Sequence, residues 1–548
     1  MVGLNECNRS LPEAAVNGTR WTRRAVFCLA AAAAAARTHA ASGAEGEHRP
    51  QRGGTVSILV DPEPTTLVAL TDSADPTMVL SAKVTEGLLS YDFDLNPRPQ
   101  LATAWTVSGN ARTFTFRLRP GVRWHDGAAF TSADVAFSIR TLREVHPRGR
   151  ATFANVSDIE TPDSLTVVLA LAKPAPYLIR AFAACESPMV PRHIYAGTDP
   201  VTNPNGVAPI GTGPFRFKEW VKGSHVAFVR NPNYWNMEKP FLDALLVRFI
   251  ADPVERMDAL MSGAIDLAPA SPVPPELLDL LMTQPNLRLE TNGYQYTNQV
   301  LRLEFNLDRQ PIGELCVRQA IARAIDRSDL LEAVWRGYGD LAFGPISPQL
   351  RDFYSPVRQG YDPTGAEELL DSAGLRRGPD GVRFQLPLDF VPAGDAYRAT
   401  ATYVAQSLAR IGIAVTVRDQ SFSSYVRRIY TDRDFDFAVS RANNMFDPTV
   451  GVQRLFWSKN FKRGVPFSNG SHYDSPRADA LLEAAAIEAD PARRREEFAQ
   501  FQDLIARDLP DLTLLAPRQF TVFNHRVVNH TTTADGVNAN LADAFIES

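Results

Sequence analysis

The side chains whose types and spacing could do chemistry in this chain are recognition groups. Ser440-Arg-Ala-Asn-Asn-Met-Phe-Asp-Pro-Thr449 sets a guanidinium, two carboxamides and a carboxylate in one short segment. Arg441 can grip a carboxylate through two parallel N–H bonds, or serve in a surface ion pair. Asn443 and Asn444 both donate and accept, which suits hydroxyl- and carboxylate-bearing solutes, but a neutral amide cannot neutralise a buried cation. Asp447 has the charge to meet an amine, and its place before Pro448 equally suits a helix cap. Tyr294, Tyr296, Phe422, Tyr425 and Trp457 offer ring faces on which a solute could stack, or else belong to a core and its rim.

Bond-making chemistry finds no support. The sequence contains no G-x-S-x-G elbow, no P-loop and no H-E-x-x-H. Gly211-Thr-Gly213 runs into Pro214 and a strand pattern, so it reads as a tight turn and not a phosphate cradle. The nine histidines are scattered; His472 beside Tyr473 could line a cleft or lie in a surface loop. No cluster has metal-ligand spacing, so no metal or cofactor is expected. A secreted hydrolase with an unfamiliar site is the rival class.

The elements that must position these groups are those of an α/β chain. Thr55–Val60 is an apolar strand ending at a Pro-containing loop, and a helical pattern covers Met78–Leu89. Phe114–Leu118 and Leu165–Leu169 alternate as strands. Thr131-x-x-Asp134 is a capping box that opens a helix. Gln299–Asn306 reads as a long strand. From Ile312 onward helices and strands alternate regularly: Leu315–Ala324, Pro363–Ala373 with Gly374 as its stop, Phe384–Val391, Ala396–Ile411 and Ile413–Val417. This strand–helix–strand span predicts a right-handed parallel crossover. Asp490-Pro491 starts a helix that ends at Pro510, and Leu512–Phe523 reads as one returning strand. Ligands of open α/β sheets sit outside the carboxyl ends of strands. The loops at Asp61–Asp75, Asn292–Thr297, Pro392–Asp395, Ser440–Asp447 and Trp457–Tyr473 are therefore the places for a site.

Composition narrows the partners. With 548 residues, 45 % hydrophobic and 22 % charged, the chain has room for several cores. Its net charge of −5 and the lack of a basic, aromatic-interleaved block argue against nucleic acid. Thr22-Arg-Arg-Ala-Val-Phe27, the alanine-rich stretch to Ala36 and Thr38-His-Ala40 have the layout of an export signal cleaved near Ala40. The paired arginines suit twin-arginine export, with ordinary secretion as the alternative. About 12 apolar residues are too few to span a bilayer. Removal of residues 1–40 takes away five Arg and two Glu, which moves the net charge from −5 to −8. Cys185 and Cys316 would remain, as a disulfide or as two buried thiols.

Five motifs in order add a resemblance. They are Glu86-Gly-Leu-Leu89, Trp124-His-Asp-Gly127, Ile210-Gly-Thr-Gly-Pro-Phe-Arg-Phe-Lys-Glu-Trp220, Arg230-Asn-Pro-Asn-Tyr-Trp235 and Val317-Arg-Gln-Ala-Ile-Ala-Arg-Ala-Ile-Asp326. Together they resemble the family 5 extracellular solute-binding proteins, the dipeptide- and oligopeptide-binding receptors of ABC importers. The resemblance runs from about Gly53 to the C-terminus. It implies an α/β, two-lobed periplasmic-binding-protein fold with an extra subdomain in lobe 1 and a hinge of crossing strands. The implied layout is a signal over 1–40, a linker over 41–54 and lobe 1 over 55–300 with the insert at about 96–208. Lobe 2 then spans 301–515, and 516–548 return to lobe 1. The implied protein is a periplasmic, monomeric receptor, not an enzyme, with a permease in the membrane as partner and a peptide or peptide-like solute as ligand. In peptide-binding members an acid holds the ligand's amino terminus, and its position here is Asn444, with Asp447 as a possible substitute. Glu63 falls where relatives turn an acid to the ligand. The expected ligand-binding set is thus Glu63, Tyr294, Phe422, Arg441, Asn443, Asn444, Asp447 and Trp457. The neutral Asn444 leaves sugar acids and opine-like conjugates open as ligands.

Overall fold

Val56, Ile58 and Val60 make one face of the strand Thr55–Val60 apolar, Leu59 is buried on the other, and the strand lies within a seven-stranded sheet. A computed structural model describes residues 50–547; the expected export signal lies outside them. The sheet runs in the order Leu287–Glu290, Thr521–Asn524, Leu267–Ala268, Thr55–Val60, Ala244–Phe249, His225–Arg230, Phe215–Val221. Val56 and Ile58 pack with Val226, Phe228 and Val247 on one face. Leu59 packs with Leu260, Leu278 and Leu281 on the other.

Between the first and later strands of that sheet lies a separate four-stranded antiparallel sheet, Ala102–Val107, Thr113–Leu118, Thr166–Leu171 and Val156–Asp163. Its period-two pattern buries Phe114, Phe116, Val167 and Leu169 under the Ser132–Val145 helix. That helix opens as its capping box predicts, with the Thr131 N–H donating to Asp134 Oδ2 at 2.9 Å.

The second large sheet has six strands in the order Gly339–Leu341, Asp511–Pro517, Gln299–Phe305, Phe437–Asn443, Phe384–Phe390, Ile413–Arg418. Phe384–Phe390 is parallel to both Ile413–Arg418 and Phe437–Asn443, so the three strands end at one edge. The Asp395–Arg410 helix makes the expected crossover between the first two. The molecule is a two-lobed α/β protein, and the chain passes between its large sheets after Glu290 and again after Pro517.

Two readings of the sequence change. The apolar run Leu512–Phe523 forms two strands, Asp511–Pro517 in one sheet and Thr521–Asn524 in the other. The polar pair Arg518-Gln519 after Pro517, the arginine exposed, marks the break between them. The helix expected to reach Leu89 ends at Val84. Gly211 and Gly213 press against its last carbonyls, where a Cβ on either would collide with Val84 O, and Gly213 N donates to that oxygen at 2.8 Å. Cys185 and Cys316 are separate free thiols, the first inside the core that holds the four-stranded sheet and the second at the rim of the six-stranded sheet's core. Among the described residues no helix is long and apolar enough to cross a membrane.

Candidate functional site

The carboxyl ends Phe390, Arg418 and Asn443 share one edge of the six-stranded sheet, and Gln299 pairs with Asn443 at that edge. Gln299 Nε2 donates to Asn443 Oδ1 at 3.2 Å. The Tyr397 hydroxyl, from the first turn of the Asp395–Arg410 helix, donates to Gln299 Oε1 at 3.1 Å. Arg441 lies two residues before Asn443 on the Phe437–Asn443 strand, and Tyr397 acts on its guanidinium. The charge of Asp75, the first residue of the Asp75–Val84 helix in the other lobe, acts on both Arg441 and Tyr397. Burial works to lower the Arg441 pKa, but Tyr397 and Asp75 outweigh it and hold the guanidinium above its usual range. Among the described residues neither Asp75 nor Arg441 reaches an oppositely charged side chain at ion-pair distance.

Asn444 follows directly and is buried. Its Oδ1 accepts from the Ser347 N–H at 2.5 Å, while its Nδ2 has no hydrogen-bond partner. A buried, unmatched donor costs about 1–3 kcal/mol unless a ligand or water completes it. Asn443 is half-buried beside it. The arrangement can therefore offer a cation, two amides and a phenol to an acidic or hydroxylated solute.

Four of the expected site residues are committed elsewhere. Asp447 is wholly buried and forked by Arg494 through bonds of 2.9 and 2.6 Å, while its Oδ1 also accepts from the Thr449 N–H at 2.9 Å. Burial would raise its pKa, but the guanidinium holds it below the usual carboxylate range. It is a helix cap and a strut, its charge already matched by a buried guanidinium. Glu63 accepts from Trp220 Nε1 at 2.8 Å and from the Gly223 N–H at 2.9 Å, so it fastens its own loop to a hairpin. Trp457 packs on the rim of a core and donates from Nε1 to Glu483 Oε1 at 2.8 Å. The Tyr294 hydroxyl accepts from the Ala270 N–H at 2.8 Å and lies 2.7 Å from Thr521 Oγ1.

Phe422 is half-exposed, on the short helix that follows the Ile413–Arg418 strand, with its ring 6.4 Å from Phe467. Tyr296 and Tyr425 are core residues. His472 stacks on Phe461 and bonds Asp308 at 2.9 Å. Asp75, Gln299 and Tyr397 went unrecognised in the sequence. Asp75 closes one of the loops marked for inspection, but an acid before a proline at a helix start reads first as a first-turn residue.

The motifs that carry the resemblance form a structural knot instead. His125 Nε2 lies 2.9 Å from Gly213 O, and Gly211 N donates to His125 Nδ1 at 3.3 Å. Burial pushes that imidazole down to about 4, which keeps it neutral for this bridging role. Glu86 accepts from the Tyr234 hydroxyl at 2.8 Å and from Trp235 Nε1 at 3.1 Å. Burial raises its carboxyl to about 7 against those bonds.

Comparison with known proteins agrees with this architecture. The sequence signature described as bacterial extracellular solute-binding proteins, family 5 Middle, matches residues 96–464. Protein XP55 of Streptomyces lividans is 30 % identical over 520 residues, covering 91 % of each chain. Di/tripeptide-binding protein 1 of Pseudomonas aeruginosa (strain UCBPP-PA14) is 26 % identical over 462 residues, 78 % of this chain and 83 % of that one. The solved structure of the binding protein AgaA in complex with agropinic acid, from A. tumefacien R10, superposes with a TM-score of 0.74 at 28 % identity. It covers 90 % of this chain and 99 % of that one.

Proposed function

The chain belongs to family 5 of the bacterial extracellular solute-binding proteins, and on that premise we propose that it captures a peptide or peptide-like solute between its lobes. Closure would bury the solute and present it to the permease of an ABC importer. The observation that carries this reading is the polar edge formed by Tyr397, Gln299 and Asn443, with Arg441 on the same strand as Asn443, set at the carboxyl ends of strands. Strand ends that meet a second lobe are where α/β receptors hold small ligands. Export by the amino-terminal signal, with cleavage near Ala40, and action as a monomer complete the proposal.

A second reading has its own support. Asn444 is neutral and Asp447 is spent on Arg494, so the lobe-2 segment lacks a carboxylate for an amine. AgaA, at 28 % identity, was solved with agropinic acid. A sugar acid or opine-like conjugate therefore stands beside peptides as a ligand class. The test is mass spectrometry of the solute released on denaturing protein purified from the periplasm, followed by titration of that solute into the Arg441→Ala variant. Affinity should fall about tenfold or more when a charge-assisted contact is lost. Unchanged affinity would remove the strand-end edge as the site.

A further inference from the structure

After its last strand in the seven-stranded sheet the chain packs back on the same lobe. The Ala534 N–H donates to Tyr91 O at 3.0 Å, and Asn540 Nδ2 donates to the Tyr234 hydroxyl at 3.4 Å. A cavity of about 150 Å³ remains between this segment and the Tyr234-Trp235 turn. None of its lining residues belongs to the six-stranded sheet, so it is separate from the strand-end edge described above. Its volume exceeds that of a single water and suits a solute of a few heavy atoms.

Two polar groups in its wall lack partners. Asp535 is 6 % exposed, and its carboxylate makes no hydrogen bond or ion pair among the described residues. Thr533 Oγ1 is likewise buried without a partner. The cations nearby are already committed: Lys83 donates to Val537 O at 2.5 Å and to Ala539 O at 2.6 Å, and Lys239 pairs with Asp543. Burial raises the Asp535 carboxyl to about 7, with Lys83 opposing that rise. A carboxylate so placed is destabilised until a cation reaches it. Tyr234, Trp235 and His530 supply aromatic walls, to which an ammonium is attracted. Burial pushes the His530 imidazole down to about 4, so it stays neutral and does not repel a cation. Among the described residues no group of three or more His, Cys, Asp or Glu is placed to hold a metal ion.

We propose that this cavity is a second ligand site, in which Asp535 receives a small primary ammonium and Thr533 bonds a hydroxyl carried by the same molecule. The site goes beyond the receptor reading. Its walls all lie on one side of the passage between lobes, so occupancy does not require closure. The occupant stabilises its own lobe by mass action and is not the cargo that closure selects.

The test is calorimetric titration of the purified protein with ethanolamine and three controls. Ethylene glycol keeps the hydroxyl and lacks the charge, ethylamine keeps the charge and lacks the hydroxyl, and potassium is an inorganic cation. Ethanolamine should bind at one site, with ethylene glycol about tenfold or more weaker, as for a lost charge-assisted contact. Asp535→Asn should remove that preference. Thr533→Val should weaken ethanolamine and leave ethylamine unchanged, which a merely structural role would not do. Arg441→Ala, at the strand-end edge, should leave these titrations unchanged. The second site is overturned by the absence of saturable ethanolamine binding, as water alone in the cavity would give. Equal affinity for ethylene glycol, equal competition by potassium, or a preference retained in Asp535→Asn overturns it too. If Asp535→Asn fails to fold, Thr533→Val decides: the same change for both amines, or none for either, ends the proposal. Loss of ethanolamine binding in Arg441→Ala would put the amine at the strand-end edge, and the second site would fall while the receptor reading stood.

Discussion

At the scale of single residues, the acids of this protein separate by what surrounds them. Asp447 and Arg494 are buried as a forked pair. Asp447→Ala strands a guanidinium in the core and is expected to cost about 3–5 kcal/mol of stability. Urea unfolding would measure it, and the effect belongs to the fold and not to ligand specificity. Glu63→Ala is expected to leave solute affinity unchanged, because its oxygens serve Trp220 and Gly223; a large loss in titration would return it to the site. Glu86 gives a pH signature. Burial raises its carboxyl from 4.5 to about 7, so the folded state holds the proton more tightly than the unfolded one. The stability this contributes is complete below pH 4.5 and lost as pH rises through about 7. Glu86→Gln keeps an acceptor for Tyr234 and Trp235 and cannot ionise. Its melting temperature should gain on the wild type as pH rises from 4.5 to 7. Parallel curves would show that Glu86 is already ionised in the fold.

At the scale of elements, the strands Gln299–Phe305 and Asp511–Pro517 are buried at every position and carry charge inside. Arg302 Nη1 donates to Asp511 Oδ2 at 2.7 Å, and its Nη2 lies 3.0 Å from Glu304 Oε2. One guanidinium thus serves two carboxylates where the chain passes between lobes. Burial raises the Asp511 carboxyl, with Arg302 opposing that rise. Arg302→Met would leave two buried carboxylates facing each other, at an expected cost of about 3–5 kcal/mol. Asp511→Asn retains an acceptor for Arg302 and should cost less in the same denaturant titration. The reverse order would mean that Glu304 alone does not balance the arginine and that the Asp511 charge is required.

At the scale of the whole molecule, function depends on two lobes approaching one another. With a solute held between them, binding is expected to lower the radius of gyration in X-ray scattering. Arg441→Ala should bind too weakly to show that contraction at the same solute concentration. Contraction retained by the variant would place the closing contacts elsewhere.

Local pattern determined much of this protein. The Thr131–Asp134 capping box, the Asp490-Pro491 helix start, the parallel crossover of Phe384–Arg418 and the marked strand-end loops follow from neighbours in sequence, so they were legible there. The family was legible for a related reason: its motifs make specific contacts, such as the backbone of Gly213 against Val84 and the Tyr234 hydroxyl against the Glu86 carboxylate, which need particular residue types. Partnership was not legible. Whether Glu63 and Asp447 are free or spent depends on Trp220, Gly223 and Arg494, at 157, 160 and 47 residues' separation. The same holds for the separate sheets that the two halves of Leu512–Phe523 join. An acid's charge is a property of its type, but its availability is set by which distant donors the fold brings to it, and only the tertiary structure decides that.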